Sequence, residues 1–183
     1  EPFTLEIINR YTGYRVFYDI QEVYLGKKTI PFVTGFTRFE ELESANLEEK
    51  ATWIENRKTA YYGSLRHFFK HLIQRDLTDA GYEGFVTNDH PFDRAAIDHR
   101  ENIFKKKLQK KDWPFRFKIE DTSYPFIKKI TFKDYLYLEY WKEATKMGQN
   151  QKSWIEAIED KIFVFDNGIL LNPTKIIVYG QLA

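Results

Sequence analysis

His67 and His71 stand four residues apart in a run of helical period, the spacing that lets two imidazoles on one helix face share a metal ion. A zinc hydrolase built this way carries a glutamate between them as general base, in the order H-E-x-x-H. Here the intervening residues are Phe68, Phe69 and Lys70, and an ammonium beside the site would repel a dication. The two histidines are therefore expected to be ordinary surface or core side chains. Asp89, His90, Asp93, Asp98 and His99 form a looser group of the types that bind metals or exchange protons with a substrate. Turn-making accounts for that group equally well, since Asn88, Asp89, Pro91 and Asp93 are all loop formers. Ser64, three residues before His67, invites comparison with a nucleophile beside its base. The G-x-S-x-G elbow is missing, however, and a helix N-cap explains the serine fully. No catalytic residue, metal site or cofactor is expected. A hydrolase using carboxylates near Asp89–Asp98 is the one enzymatic reading left.

The element that would position these groups is the stretch Trp53–Tyr82. Within it Tyr61, Leu65, Phe68, Phe69, Leu72, Ile73 and Leu77 recur at spacings of three and four, the stripe of an amphipathic helix on a core. Gly63-Ser64 either breaks the run into two helices, with Ser64 as the second N-cap, or kinks a single one. Gly81 suits the C-terminal cap. Before this stretch, Phe3–Asn9, Tyr14–Leu25 and Thr29–Phe39 alternate as strands of an antiparallel meander. After it come strand candidates at Tyr82–Val86, Phe115–Glu120, Lys128–Thr131, Tyr135–Tyr140, Ile162–Asp166 and Lys175–Gly180. Asp166-Asn167-Gly168 and Asn172-Pro173 are expected turns, and Trp141–Trp154 is expected to be a connecting loop. The expected fold is α+β: antiparallel sheet with a helix or helical hairpin over about residues 47–80 packed on one side, in a single domain spanning 1–183.

Composition narrows the partners. Sixteen Phe, 12 Tyr and 4 Trp make 17% of the chain, and such side chains suit pleated, β-rich cores. Tyr11, Tyr14, Tyr18, Tyr24, Tyr61, Tyr62, Trp141 and Trp154 cannot all be buried with their polar atoms satisfied. Most are expected to face the core with hydroxyls at its rim; the alternative is an aromatic platform for sugar rings or a protein. With 28 basic and 27 acidic residues the net charge is +1, which argues against nucleic acid as a partner. The lysines at 105–107, 110 and 111 are expected to be solvated surface. No cysteine is present, so disulfides and thiolate chemistry are excluded. No run approaches the roughly 18 apolar residues of a membrane span.

One resemblance adds a cellular setting. Gly13-Tyr14-Arg15-Val16 with Tyr18-Asp19-Ile20, Phe39-Glu40-Glu41-Leu42, Trp53 through Arg57, Ala60-Tyr61-Tyr62-Gly63-Ser64-Leu65-Arg66-His67-Phe68 and Gly81-Tyr82 resemble a family of bacterial proteins. They are similar to the C-terminal region of the carboxypeptidase-regulatory-like-domain-containing envelope proteins of Bacteroidetes. The resemblance implies an exported protein, periplasmic, outer-membrane-associated or secreted, with no assigned chemistry. It also implies that the chain, which starts at Glu1 without Met, is a fragment of a longer protein in which an accessory β-sandwich precedes this region. Arg57, Tyr61, Tyr62, Arg66 and His67, with Ser64, fall on the matching positions and are expected to lock helix to sheet or to line a binding groove. The functional expectation is a non-catalytic envelope module that serves as a structural or protein-interaction domain. A carbohydrate-binding module that presents Tyr and Trp to a surface polysaccharide is the alternative.

Overall fold

The computed structural model describes residues 3–24, 32–87, 117–142 and 151–180. The group Asp89–His99, Trp113 and the lysines at 105–111 lie outside the described residues. The chain divides into two compact units, Glu1–Tyr62 and Gly63–Ala183.

The first unit is a three-stranded antiparallel sheet followed by a helix. Strands β1 (Phe3–Asn9), β2 (Tyr14–Tyr24) and β3 (Phe32–Glu41) lie in the order β1-β2-β3. The β1–β2 turn closes because the Asn9 side chain accepts from the amides of Tyr11 and Thr12, both at 3.1 Å. Gly13 completes it at φ 67°, where a Cβ would fall onto the indole of Trp53. A bulge between Ile20 and Glu22 shifts the β2–β3 register. Helix α1 (Leu47–Tyr61) begins at Asn46, whose side chain accepts from Glu49 N at 2.8 Å, while the Glu49 carboxylate takes the Ala45 amide at 2.7 Å. Glu48 and Glu49 add favourable charge to its first turn.

Among its described residues the second unit holds a four-stranded sheet, a three-stranded sheet and two short helices. Helix α2 (Leu65–Gln74) starts at Ser64, whose hydroxyl accepts from His67 N at 3.2 Å; the glycine–serine pair thus divides two helices rather than kinking one. α3 (Leu77–Ala80) ends on Gly81 in the left-handed region. Strands β4 (Tyr82–Thr87), β7 (Tyr135–Tyr140), β8 (Gln151–Ala157) and β10 (Ile176–Gly180) form one antiparallel sheet in the order β10-β8-β7-β4. β5 (Phe117–Asp121), β6 (Ile127–Phe132) and β9 (Lys161–Phe165) form the other, in the order β5-β6-β9. Both sheets and α2 feed one core, with Phe68, Phe69, Leu72, Ile130, Leu138, Tyr140, Ile155 and Val164 buried in it.

The described residues are thus mostly antiparallel sheet with few helices, so the expected antiparallel sheet is present and the balance of the α+β expectation shifts toward β. One local expectation changes as well, and the turn expected at Asn172-Pro173 is present. The expected loop Trp141–Trp154 runs into β8, where Trp154 pairs with Tyr137 and their rings meet edge to face at 5.0 Å. Its alternation was hidden because the inward row opens with a serine, Ser153, fully buried ahead of Ile155 and Ala157. Asn172-Pro173 opens a single 3-10 turn (Pro173–Lys175), capped by the Asn172 side chain, directly before β10.

Candidate functional site

Two places in the molecule gather the residues that the sequence singles out. In the first unit, α1 has almost no apolar stripe: Leu47 and Ile54 are exposed, and only Trp53 is buried. The helix is held instead by donors aimed at the carbonyls of the β1–β2 turn. Trp53 Nε1 donates to Arg10 O at 2.9 Å and Asn56 Nδ2 to Tyr11 O at 2.6 Å. Arg57 Nε donates to Thr12 O at 2.7 Å, and another of its nitrogens to Gly13 O at 3.2 Å. The remaining arm pairs with Glu41 at 2.6 Å, and the guanidinium plane lies 3.8 Å from the centre of the Tyr14 ring. Arg57 therefore binds the helix, the turn and the end of β3 with one planar group. Tyr61 and Tyr62 close the same helix, their ring centres 5.8 Å apart; Tyr61 is half-buried and Tyr62 exposed.

Arg66 and His67 belong to the second unit. Arg66 is exposed, and its Nε donates to Asn167 O at 3.3 Å, tying α2 to the turn after β9. That turn presses close to the helix: Gly168 sits at φ 85°, and a Cβ there would strike the Arg66 carbonyl. His67 is buried. Its Nδ1 accepts from Gly63 N at 3.3 Å, which places the neutral ring's proton on Nε2. The Tyr82 hydroxyl stands 2.9 Å from the same nitrogen and 3.3 Å from Ser64 O, with one proton to share between two acceptors. Burial pushes the His67 pKa down to about 4, with His71, Lys142 and Lys70 adding to the effect and Asp76 opposing it. The His71 ring meets it edge to face at 4.6 Å, and His71 Nδ1 lies 2.8 Å from Asp76 Oδ1. Both Nδ1 atoms are thus committed inside the fold, and among the described residues no group of three or more potential ligands gathers for a metal.

The comparisons with known proteins return no match: no family model, no curated protein and no solved structure.

A surface that site-by-site reading of the sequence passes over is the sheet of the first unit. The strand registers put Phe3, Ile20 and Gly35 in one row, Leu5, Tyr18 and Thr37 in the next, and Ile7, Val16 and Phe39 in a third, all on the same face. Phe3 is 64% exposed, Leu5 41%, Ile7 45% and Phe39 59%. No charged side chain enters these rows; the strip ends at Tyr14, under the Arg57–Glu41 pair. The opposite face is mixed: Phe36 at 71% and Ile8 at 44% are exposed on it beside its polar pairs. There Thr4 bonds Asp19 at 2.6 Å, Glu6 pairs with Arg15 at 3.3 Å, and Arg38 covers the Phe17 ring while pairing with Glu40. The signal was present in the alternation of FTLEIIN and YRVFYDI, but alternation announces a buried face, not an open one.

The second unit shows a smaller aromatic group. Tyr124 and Phe126 are exposed at the β5–β6 turn, with ring centres 6.1 Å apart, and Phe126 lies parallel to Phe165 at the same distance. Asp166 donates its amide to Phe126 O at 3.0 Å, and Lys128 pairs with Asp121 nearby. No helix among the described residues is long and apolar enough to cross a membrane.

Proposed function

We propose that the chain is a non-catalytic interaction module of the cell envelope, periplasmic or outer-membrane-associated, which holds a protein partner on the open face of its β1–β3 sheet. The observation that carries this reading is the exposure of Phe3, Leu5, Ile7 and Phe39 on one uncharged face. A three-stranded sheet gains independent stability by covering its hydrophobic face. Among the described residues of the first unit only Gly13 and Trp53 are buried, so that cover has to come from elsewhere. In this reading Arg57 is the structural lock that holds α1 at one end of the strip, and Tyr61 and Tyr62 close the same helix. Arg66 and His67 serve the packing of α2. The envelope setting rests on the resemblance of Tyr11–Tyr82 described above.

The test places a photo-crosslinking benzoylphenylalanine at position 39, and at position 36 on the opposite face, in cells that make the protein. Irradiation is expected to yield a discrete protein adduct from position 39 and none from position 36. The reading fails if position 39 gives no adduct.

A polysaccharide-binding role is the second reading, supported by the exposed Tyr124 and Phe126 beside Phe165, Asp121 and Asp166. It predicts a thermal shift with one class of glycan that Tyr124→Ala abolishes. A uniform absence of shift across glycan classes rules it out.

A further inference from the structure

The turn after β9 carries chemistry of its own, apart from any partner. We propose that Asn167 is a covalent modification site held closed by the fold: the native turn blocks its cyclisation onto Gly168, and opening of the turn releases it. Asn167 is the one asparagine of the chain that is followed by glycine, so no side chain hinders the following nitrogen. It is exposed, and among the described residues its Nδ2 makes no hydrogen bond, so ammonia can depart into water. The reaction needs only water as a second reactant. The Gly168 nitrogen attacks Asn167 Cγ, the Cγ–Nδ2 bond breaks, and ammonia leaves with the Gly168 proton to give a five-membered imide. Water then opens the ring at one of its two carbonyls. Opening at Cγ leaves an aspartate; opening at the former main-chain carbonyl leaves an isoaspartate, whose backbone runs through the side chain and is one methylene longer.

Three features of the turn hold back the first step. The Gly168 N–H, which has to give up its proton, donates to Phe165 O at 2.8 Å. Asn167 Oδ1 accepts from Ile169 N at 3.1 Å, so the side chain is turned past the nitrogen it would join. Gly168 itself is buried at φ 85°, where a Cβ would meet the Arg66 carbonyl and Lys70, and hydroxide has little access. The frame around these groups is pinned as well. Phe165 N donates to Ile169 O at 2.8 Å and Asp166 N to Phe126 O at 3.0 Å, while Arg66 Nε holds Asn167 O at 3.3 Å. An opened chain has none of these restraints. Once it has reacted to isoaspartate, the added methylene displaces Gly168 from the helix it packs against, and a reversible opening becomes a lasting one.

Peptide mapping by mass spectrometry tests the proposal on the full chain, aged at one mildly alkaline pH with and without denaturing urea. Cleavage at Lys161 and Lys175 releases residues 162–175, which hold Asn167 together with an internal control: Asn172 cannot cyclise in this way, because Pro173 has no N–H. In urea, Asn167 is expected to convert before any other asparagine, with isoaspartate as the larger product. In the native protein the same conversion should be slower by about tenfold or more, since only opened molecules react. Asn167→Gln lengthens the ring to be closed and should abolish the reaction. Asn167→Asp keeps an acceptor for Ile169 N and should melt close to the parent, whereas the purified isoaspartyl form should melt lower. Equal rates in the two states overturn the shielding, and faster conversion at another asparagine in urea overturns the site. An isoaspartyl form that melts no lower than Asn167→Asp overturns the consequence drawn for α2.

Discussion

Acidification should act on this protein through one buried imidazole. His67 packs against Tyr82 and Tyr140, faces His71, Lys70 and Lys142, and uses Nδ1 as an acceptor for the Gly63 amide. A proton added at Nδ1 would point at that amide's own hydrogen, inside a site that already disfavours charge. The free imidazole titrates at 6.5 and the buried one at about 4. Above pH 6.5 both folded and unfolded chains hold His67 neutral, and its packing contributes in full. As pH falls below 6.5 the unfolded chain takes up the proton and the folded chain resists, so stability drops; below about 4 both are protonated and the loss levels off. The gap corresponds to about 3 kcal/mol in all, accrued at about 1.4 kcal/mol per pH unit. His67→Asn keeps an acceptor near the Nδ1 position and removes the titration. Its cost at pH 7.5, from the smaller side chain, should shrink or reverse on acidification. Urea unfolding of both proteins at several pH values should show their stabilities converging by 2–3 kcal/mol between about pH 7.5 and 4.5, the carboxylates cancelling in the difference. The reasoning is refuted if the two profiles stay parallel, or if the His67 ring titrates near 6.5 by NMR.

Three further substitutions follow from the same geometry. Arg57→Lys keeps the charge but loses the planar fork that serves Thr12 O, Gly13 O, Glu41 and Tyr14 together; the first unit should lose about 1–2 kcal/mol, followed by Trp53 emission in urea. Ser64→Ala removes the α2 cap and should cost about 1 kcal/mol, and Ser64→Asp should recover most of it in thermal melts. Gly168→Ala puts a Cβ against the Arg66 carbonyl at a positive φ, and calorimetry should show a loss of about 2 kcal/mol or more; no change would mean that the turn does not press on α2.

What was legible in the chain was what is decided locally. Phe3–Asn9 and Tyr135–Tyr140 come out as strands with the expected bounds because both are rich in the aromatic or β-branched residues that suit a pleated sheet. Ser64, Gly81 and Asp166-Asn167-Gly168 do what their types favour at a helix start, a helix end and a turn. β8 was hidden because alternation assumes an apolar inner row, and Ser153 occupies one of its inner positions. Which strands share a sheet depends on partners far apart in sequence, such as β6 with β9, and no local pattern encodes that. The candidate residues divide between the two units. Arg57, Tyr61 and Tyr62 are a few positions from Arg66 and His67, yet the division at Tyr62 assigns them to different units.

The way α1 is docked sets what this part of the chain is free to change. Trp53, Asn56 and Arg57 grip the carbonyls of Arg10, Tyr11, Thr12 and Gly13, and none of these bonds involves the first three residues' side chains. Every amino acid offers the same carbonyl. Sequence drift at positions 10, 11 and 12 should therefore be tolerated so long as the turn keeps its shape, whereas position 13 has to remain without a side chain. At the turn itself, the side-chain specificity of the joint lies in the three helix residues and in Gly13. Among related chains, the helix should stay recognisable after the turn it holds has diverged.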